Sequence, residues 1–176
     1  VYAKPDSNYL DDWVLSWLEP EGAVESLPDD TGWQLFSLVL HHFPEARFSS
    51  AAGFDKAQLW AHLVERFAST HDQTGRTTMI RCGILRKAAY FDEAIKVATA
   101  ALSKFNDWFC AITLALAYRS KGDVNAAENA FLQVLKIQAD DPVARVEAGD
   151  MYFDKREWQN AIRWYQQVLD KEPHHE

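Results

Sequence analysis

Little glycine, little proline and almost no cysteine are present in this chain: seven, six and two residues among 176. So few breakers argue against a turn-rich β fold and for helices joined by short connections. Cys82 and Cys110 form no CxxC motif, and each falls inside a helical pattern. They are expected to be buried free thiols in a reducing compartment, not a disulfide framework. No apolar run approaches the roughly 18 residues of a membrane-spanning helix, and no signal peptide is visible. The expected location is therefore cytoplasmic, with no membrane insertion.

Catalytic signatures are also missing. The sequence holds no HExxH, GxSxG, P-loop or GxGxxG. His41 and His42 are adjacent, so on a helix they point about 100° apart and do not clamp one metal. His62 and His71 are nine residues apart, and His174 and His175 lie at the C-terminal end. The expectation is a protein that is not an enzyme and uses no metal or cofactor.

Positive charge is scarce at the start. Residues 1–30 carry one Lys, Lys4, against eight carboxylates, a net −7 of the −8 on the whole chain. The remaining 17 basic and 18 acidic side chains nearly cancel. With no basic stripe to neutralise phosphates, nucleic acid is excluded as a partner. The acidic start serves either as a solvated face or as a landing surface for a basic partner.

What the chain has in abundance is helical periodicity. Ser7 is placed to cap a helix through Trp13, Trp17 and Leu18, ended by Pro20 and Gly22. Thr31 opens a second helix, ending before Pro44. "PEARFSSAAG" is expected to be a loop, and Asp55 to cap a third helix through Phe67. "STHDQTGR", near residues 69–76, breaks the pattern and divides a segment 1–72 from a region 75–176. Beyond it, six helices are predicted at 77–89, 92–105, 108–120, 124–138, 142–154 and 158–171. Asp92, Asp107, Asp123 and Asp141 lie at their starts.

These helices superpose as pairs. Ala94, Ala127 and Ala161 recur at spacings of 33 and 34, followed four residues later by Ala98, Phe131 and Tyr165. Ala101, Val134 and Val168 come seven after each alanine, and Tyr118 and Tyr152 precede the second and third by nine. Ala148-Gly149, Tyr152, Ala161, Tyr165 and Pro173 complete the third unit. The second has Ala139 where a closing proline is usual, and the first departs in its opening helix, with Arg81-Cys82 and Leu85. The pattern resembles the tetratricopeptide repeat, a 34-residue helix–turn–helix unit. Units are expected at about 75–107, 108–141 and 142–175. The resemblance implies an all-α fold of helical hairpins stacked into a short right-handed superhelix behind the acidic N-terminal helices.

The resemblance also implies a concave groove lined by the first helix of each unit. Its positions fall on Arg86, Phe109, Ile112, Leu116, Arg119, Val143, Val146 and Asp150. The family's clamp for acidic C-terminal peptides needs Lys, Asn and Arg. Met79, Gly83, Thr113, Val143 and Glu147 stand there instead, which disfavours chaperone tails. The remaining apolar strip is expected to be covered by the N-terminal helices or by a protein or peptide with apolar anchors. Ile162, Trp164 and Leu169 are assigned to an outer face of the last helix, away from Ala161 and Val168, and are expected to mediate self-association or a further contact. The function expected is protein–protein interaction, as adaptor, scaffold or assembly factor. One alternative is a dedicated client-binding protein such as a secretion chaperone or toxin antidote. Another, suggested by Val1 in place of Met and the ending "PHHE", is a section of a longer solenoid.

Overall fold

The computed structural model describes residues 7–42 and 51–171. Among them lie α1 (Ser7–Leu18), α2 (Asp29–His42), α3 (Ala51–Thr70), α4 (Gly75–Lys87), α5 (Phe91–Phe105), α6 (Trp108–Lys121), α7 (Val124–Ile137), α8 (Pro142–Asp154) and α9 (Trp158–Leu169), with no strand. Pro173, the two C-terminal histidines and residues 44–50 of the expected loop fall outside the described residues. So do the side chains of Ser7, Tyr9 and Leu10.

Helices α4 to α9 form three hairpins, and each first helix packs on the pair before it. Carboxylates fix where the first helices begin. Asp107 accepts from the Cys110 amide at 2.9 Å. Asp141, itself buried, accepts from the Ala144 amide at 2.8 Å with one oxygen and from the Trp108 indole with the other. Asp123 caps α7 in the same way. Thr74 and Thr77 form a reciprocal capping box on α4. Asp92 lies in the first turn of α5, near the helix start as expected, but the cap residue there is Tyr90. Asp55 differs from expectation, because α3 begins at Ala51, a full turn upstream; alanine is the strongest helix former, and Ala51-Ala52 extends the helix into the segment expected to be loop.

The repeated alanines do what their spacing implies. Ala94, Ala127 and Ala161 are buried, and their small side chains let the two helices of a hairpin approach. Gly149 completes the third crossing: a side chain there would collide with the Tyr165 ring. All three hairpin turns pass through a left-handed residue at the same register, Ala89 (φ 60°), Gly122 (φ 85°) and Arg156 (φ 60°).

The N-terminal hairpin is built differently. Trp33 and Phe36 of α2 meet Phe67 of α3 with ring centroids 5.1 and 5.5 Å apart, and Phe36 also meets Trp60 edge to face at 6.3 Å. Aromatics therefore fill the crossing that alanines occupy elsewhere, with Gly32 leaving room for Phe67. Arg66 pins this corner. Its guanidinium donates to both Glu25 oxygens at 2.6 and 2.8 Å and reaches the Glu19 and Pro20 carbonyls at 3.3 Å. His71 stacks on Phe67 and bonds the Leu27 carbonyl at 2.9 Å. Both α2 and α3 pack on α4. Leu40 fills the space above Gly83, and Lys87 donates to the Leu40 carbonyl at 2.6 Å. The buried core runs without a break from Leu15 to Trp164.

Trp164 requires a correction. It is 3% exposed and part of that core, whereas its neighbours Ile162 and Leu169 are 56% and 44% exposed. The reason is angular. Residues 161, 164 and 168 are three and four apart and share one face of a helix, so Trp164 sits with Ala161 and Val168, not away from them. Cys82 and Cys110 are buried free thiols, and burial pushes both up to about 12.

Candidate functional site

The first helices of the three hairpins, α4, α6 and α8, stand side by side. A basin of about 550 Å³ opens where their C-terminal halves meet. Arg86 of α4, Leu116 and Arg119 of α6, and Glu147, Met151 and Asp154 of α8 contribute to its walls. Three of the residues expected in the groove, Arg86, Leu116 and Arg119, are thus brought together. Val146 and Asp150 are half-buried on α8, and Val143 is exposed at its start. Phe109 is half-buried against the edge of the Trp108 ring.

Ile112 does not belong to the open strip. It is 1% exposed, because α6 is the central helix and α4, α5, α7 and α8 all pack around it. The expected apolar strip is consequently split: Leu116 contributes to the walls of the basin, and Phe109, Val143 and Val146 do not.

The charged side chains of the groove are tied to one another. Arg86 Nε donates to Ser120 Oγ at 2.9 Å. Arg119, one unit on from Arg86, bonds Glu147 and reaches Asp154 Oδ2 at 3.0 Å. Ser120 and Asp154 are also equivalent by the repeat, 34 residues apart, so the same cross-unit contact occurs twice along the rim. Tyr165 donates to Asp150 Oδ1 at 2.6 Å; burial first, and that bond second, push its hydroxyl up to about 12. The arginines expected to edge a ligand site therefore first set the spacing of the units. Sequence reasoning named Arg86 and Arg119 but not Ser120, Met151 or Asp154. The spacings 86/119 and 120/154 were the signal available. Among the described residues, no group of three or more His, Cys, Asp or Glu is arranged to hold a metal, and no helix is long and apolar enough to cross a membrane.

Comparison with known proteins gives the same architecture from outside. Two family models of the tetratricopeptide repeat match, over residues 111–141 and 144–175. No curated protein matches the chain. Among solved structures, YrrB, a tetratricopeptide-repeat protein with an unusual peptide-binding site, is 16% identical; the match covers 83% of this chain and 79% of that one, with a TM-score of 0.56. MamA from Desulfovibrio magneticus RS-1 is 12% identical over 99% of both chains, with a TM-score of 0.56. A further MamA structure is 15% identical over 94% of this chain and 91% of that one, with a TM-score of 0.54. At these identities the likeness is one of fold. With matching repeats, the alanine register and the stacked hairpins in agreement, residues 111–141 and 144–175 are tetratricopeptide repeats, units that serve generally as protein-interaction modules.

Proposed function

We propose that this chain binds a segment of another protein along the concave face of α4, α6 and α8, acting as an adaptor, scaffold or assembly factor and not as a catalyst. The observation that carries this is the basin itself: three successive first helices contribute walls to one hollow, lined by the apolar Leu116 and Met151 and by charged groups. Apolar anchors on the partner would meet Leu116, Val143 and Val146, and backbone or polar groups would meet the Arg119–Glu147–Asp154 cluster. The peptide-binding site described for YrrB, a protein of the same fold, supports the choice of a peptide as occupant.

Selection of peptides from a random library on the native chain tests this. Recovered peptides should carry two or more apolar anchors. They should lose at least about tenfold in affinity on Leu116→Glu or Val146→Glu, the loss expected when a central contact worth over 1 kcal/mol is removed. Urea midpoints of the variants check that they still fold. Peptides that bind wild type and both variants equally would place the binding surface elsewhere and sink the groove.

A further inference from the structure

The last helix repeats a register in which its two predecessors are covered. Counting from the recurring spacing of Ala94, Ala127 and Ala161, the residue three before is Phe91, Val124 or Trp158. The residue one after is Ile95, Glu128 or Ile162, and the residue eight after is Leu102, Leu135 or Leu169. On α5 and α7 all these positions are buried or half-buried, and α6 and α8 pack on those helices. On α9 the same three are 48%, 56% and 44% exposed. They lie four, seven and eleven residues apart, on one helix face. Phe153, itself exposed, meets the Trp158 ring edge to face at 5.2 Å and widens the patch. A face in register with two packed faces is built for stacking against another helix.

We propose that the occupant is a second copy of this chain, α9 lying antiparallel against α9 about a two-fold axis. Charge selects this pairing. Arg163 and Asp170 are exposed, opposite in sign and seven residues apart, on the flank of the apolar stripe. An antiparallel pairing centred between Gln166 and Gln167 sets Arg163 of each copy against Asp170 of the other. It also brings Ile162 of each within reach of Leu169 of the other. Gln166, uncharged and exposed beside the stripe, lies nearest the axis, so no like charges meet there. The surface is therefore complementary to itself, the condition for a closed, isologous dimer. The groove lies on other helices, so the dimer stands or falls independently of the peptide site.

The test is sedimentation equilibrium of the full chain over a wide concentration series. A reversible dimer is expected, and Ile162→Asp or Leu169→Asp should weaken it by roughly tenfold or more. Arg163→Asp alone and Asp170→Arg alone should each weaken self-association. An equimolar mixture of those two variants should recover it as a mixed dimer, because each then presents to the other the charges it repels in its own kind. Arg163 also bonds Glu128 within its own chain at 3.1 Å, and recovery in the mixture separates the two roles. Circular dichroism and urea midpoints establish that the variants fold. A wild type that is monomeric throughout overturns the proposal. So does a dimer indifferent to Ile162→Asp, one lost instead on Trp13→Ala or Trp17→Ala, or a mixture that recovers nothing.

Discussion

Gly149 lies under the ring of Tyr165, and the missing side chain is what lets α8 and α9 close. A methyl there has to push the ring aside and with it the hydroxyl that Asp150 accepts. Gly149→Ala should therefore destabilise the chain by about 1–3 kcal/mol, the range for overpacking a tight crossing, despite alanine's better helix propensity. Ala127→Leu should cost a similar amount for the same reason. The midpoint of urea unfolding measures both, and an unchanged midpoint would mean the crossings are looser than drawn. Trp164 gives the opposite case. Removing an aromatic from a core costs about 3–5 kcal/mol, so Trp164→Ala should lower the midpoint severely while leaving self-association to Ile162 and Leu169. Its burial was available from the sequence through its spacing to Ala161 and Val168. Grouping it with Ile162 pointed the wrong way, since residues two apart on a helix lie about 160° from each other.

The hairpin turns show how a repeat carries information that a single turn does not. Gly122 satisfies a left-handed position at no steric cost. Ala89 and Arg156 hold the same conformation with a Cβ, at a cost of roughly 1–2 kcal/mol each. Nothing in "AAYF" or "KREW" taken alone signals positive φ; the register with Gly122 does. Arg156→Gly should raise stability by up to about 1 kcal/mol, offset in part by the greater freedom of glycine when unfolded, and Gly122→Ala should lower it.

The corner joining α3 to the α1–α2 connection depends on Glu25 being charged. The bond to Arg66 holds its carboxyl below the ordinary value. A depressed folded value means the tie contributes fully above the ordinary carboxylate range. It is lost as pH falls through that range toward the folded value. Urea midpoints of wild type and Glu25→Gln should differ at neutral pH and converge on acidification. A difference that persists undiminished in acid would show that the tie is not ionic.

At the scale of the whole molecule, the repeat region was legible because its contacts recur at fixed spacing, from the alanine crossings to the aspartate caps. The N-terminal hairpin was not, because Trp33, Phe36, Trp60 and Phe67 meet at no period shared with the rest. Their helical pattern could be read, but not their docking on α4. The groove was legible in outline through Arg86, Leu116 and Arg119. It was misjudged at Ile112, because a linear face cannot tell how many neighbours surround the helix that carries it.

The two rim contacts, Arg86 to Ser120 and Arg119 to Asp154, are stitches between units along one edge of the stack. They join successive units along the rim of the basin, while Lys121 to Asp92 and Arg163 to Glu128 join them through the second helices. Bending that narrows the coil leaves the stitches slack, whereas straightening stretches them. Pulled from its two ends, the molecule should load these stitches together with the ties of the second helices, and a ligand that competes for Arg119 would make the spring softer.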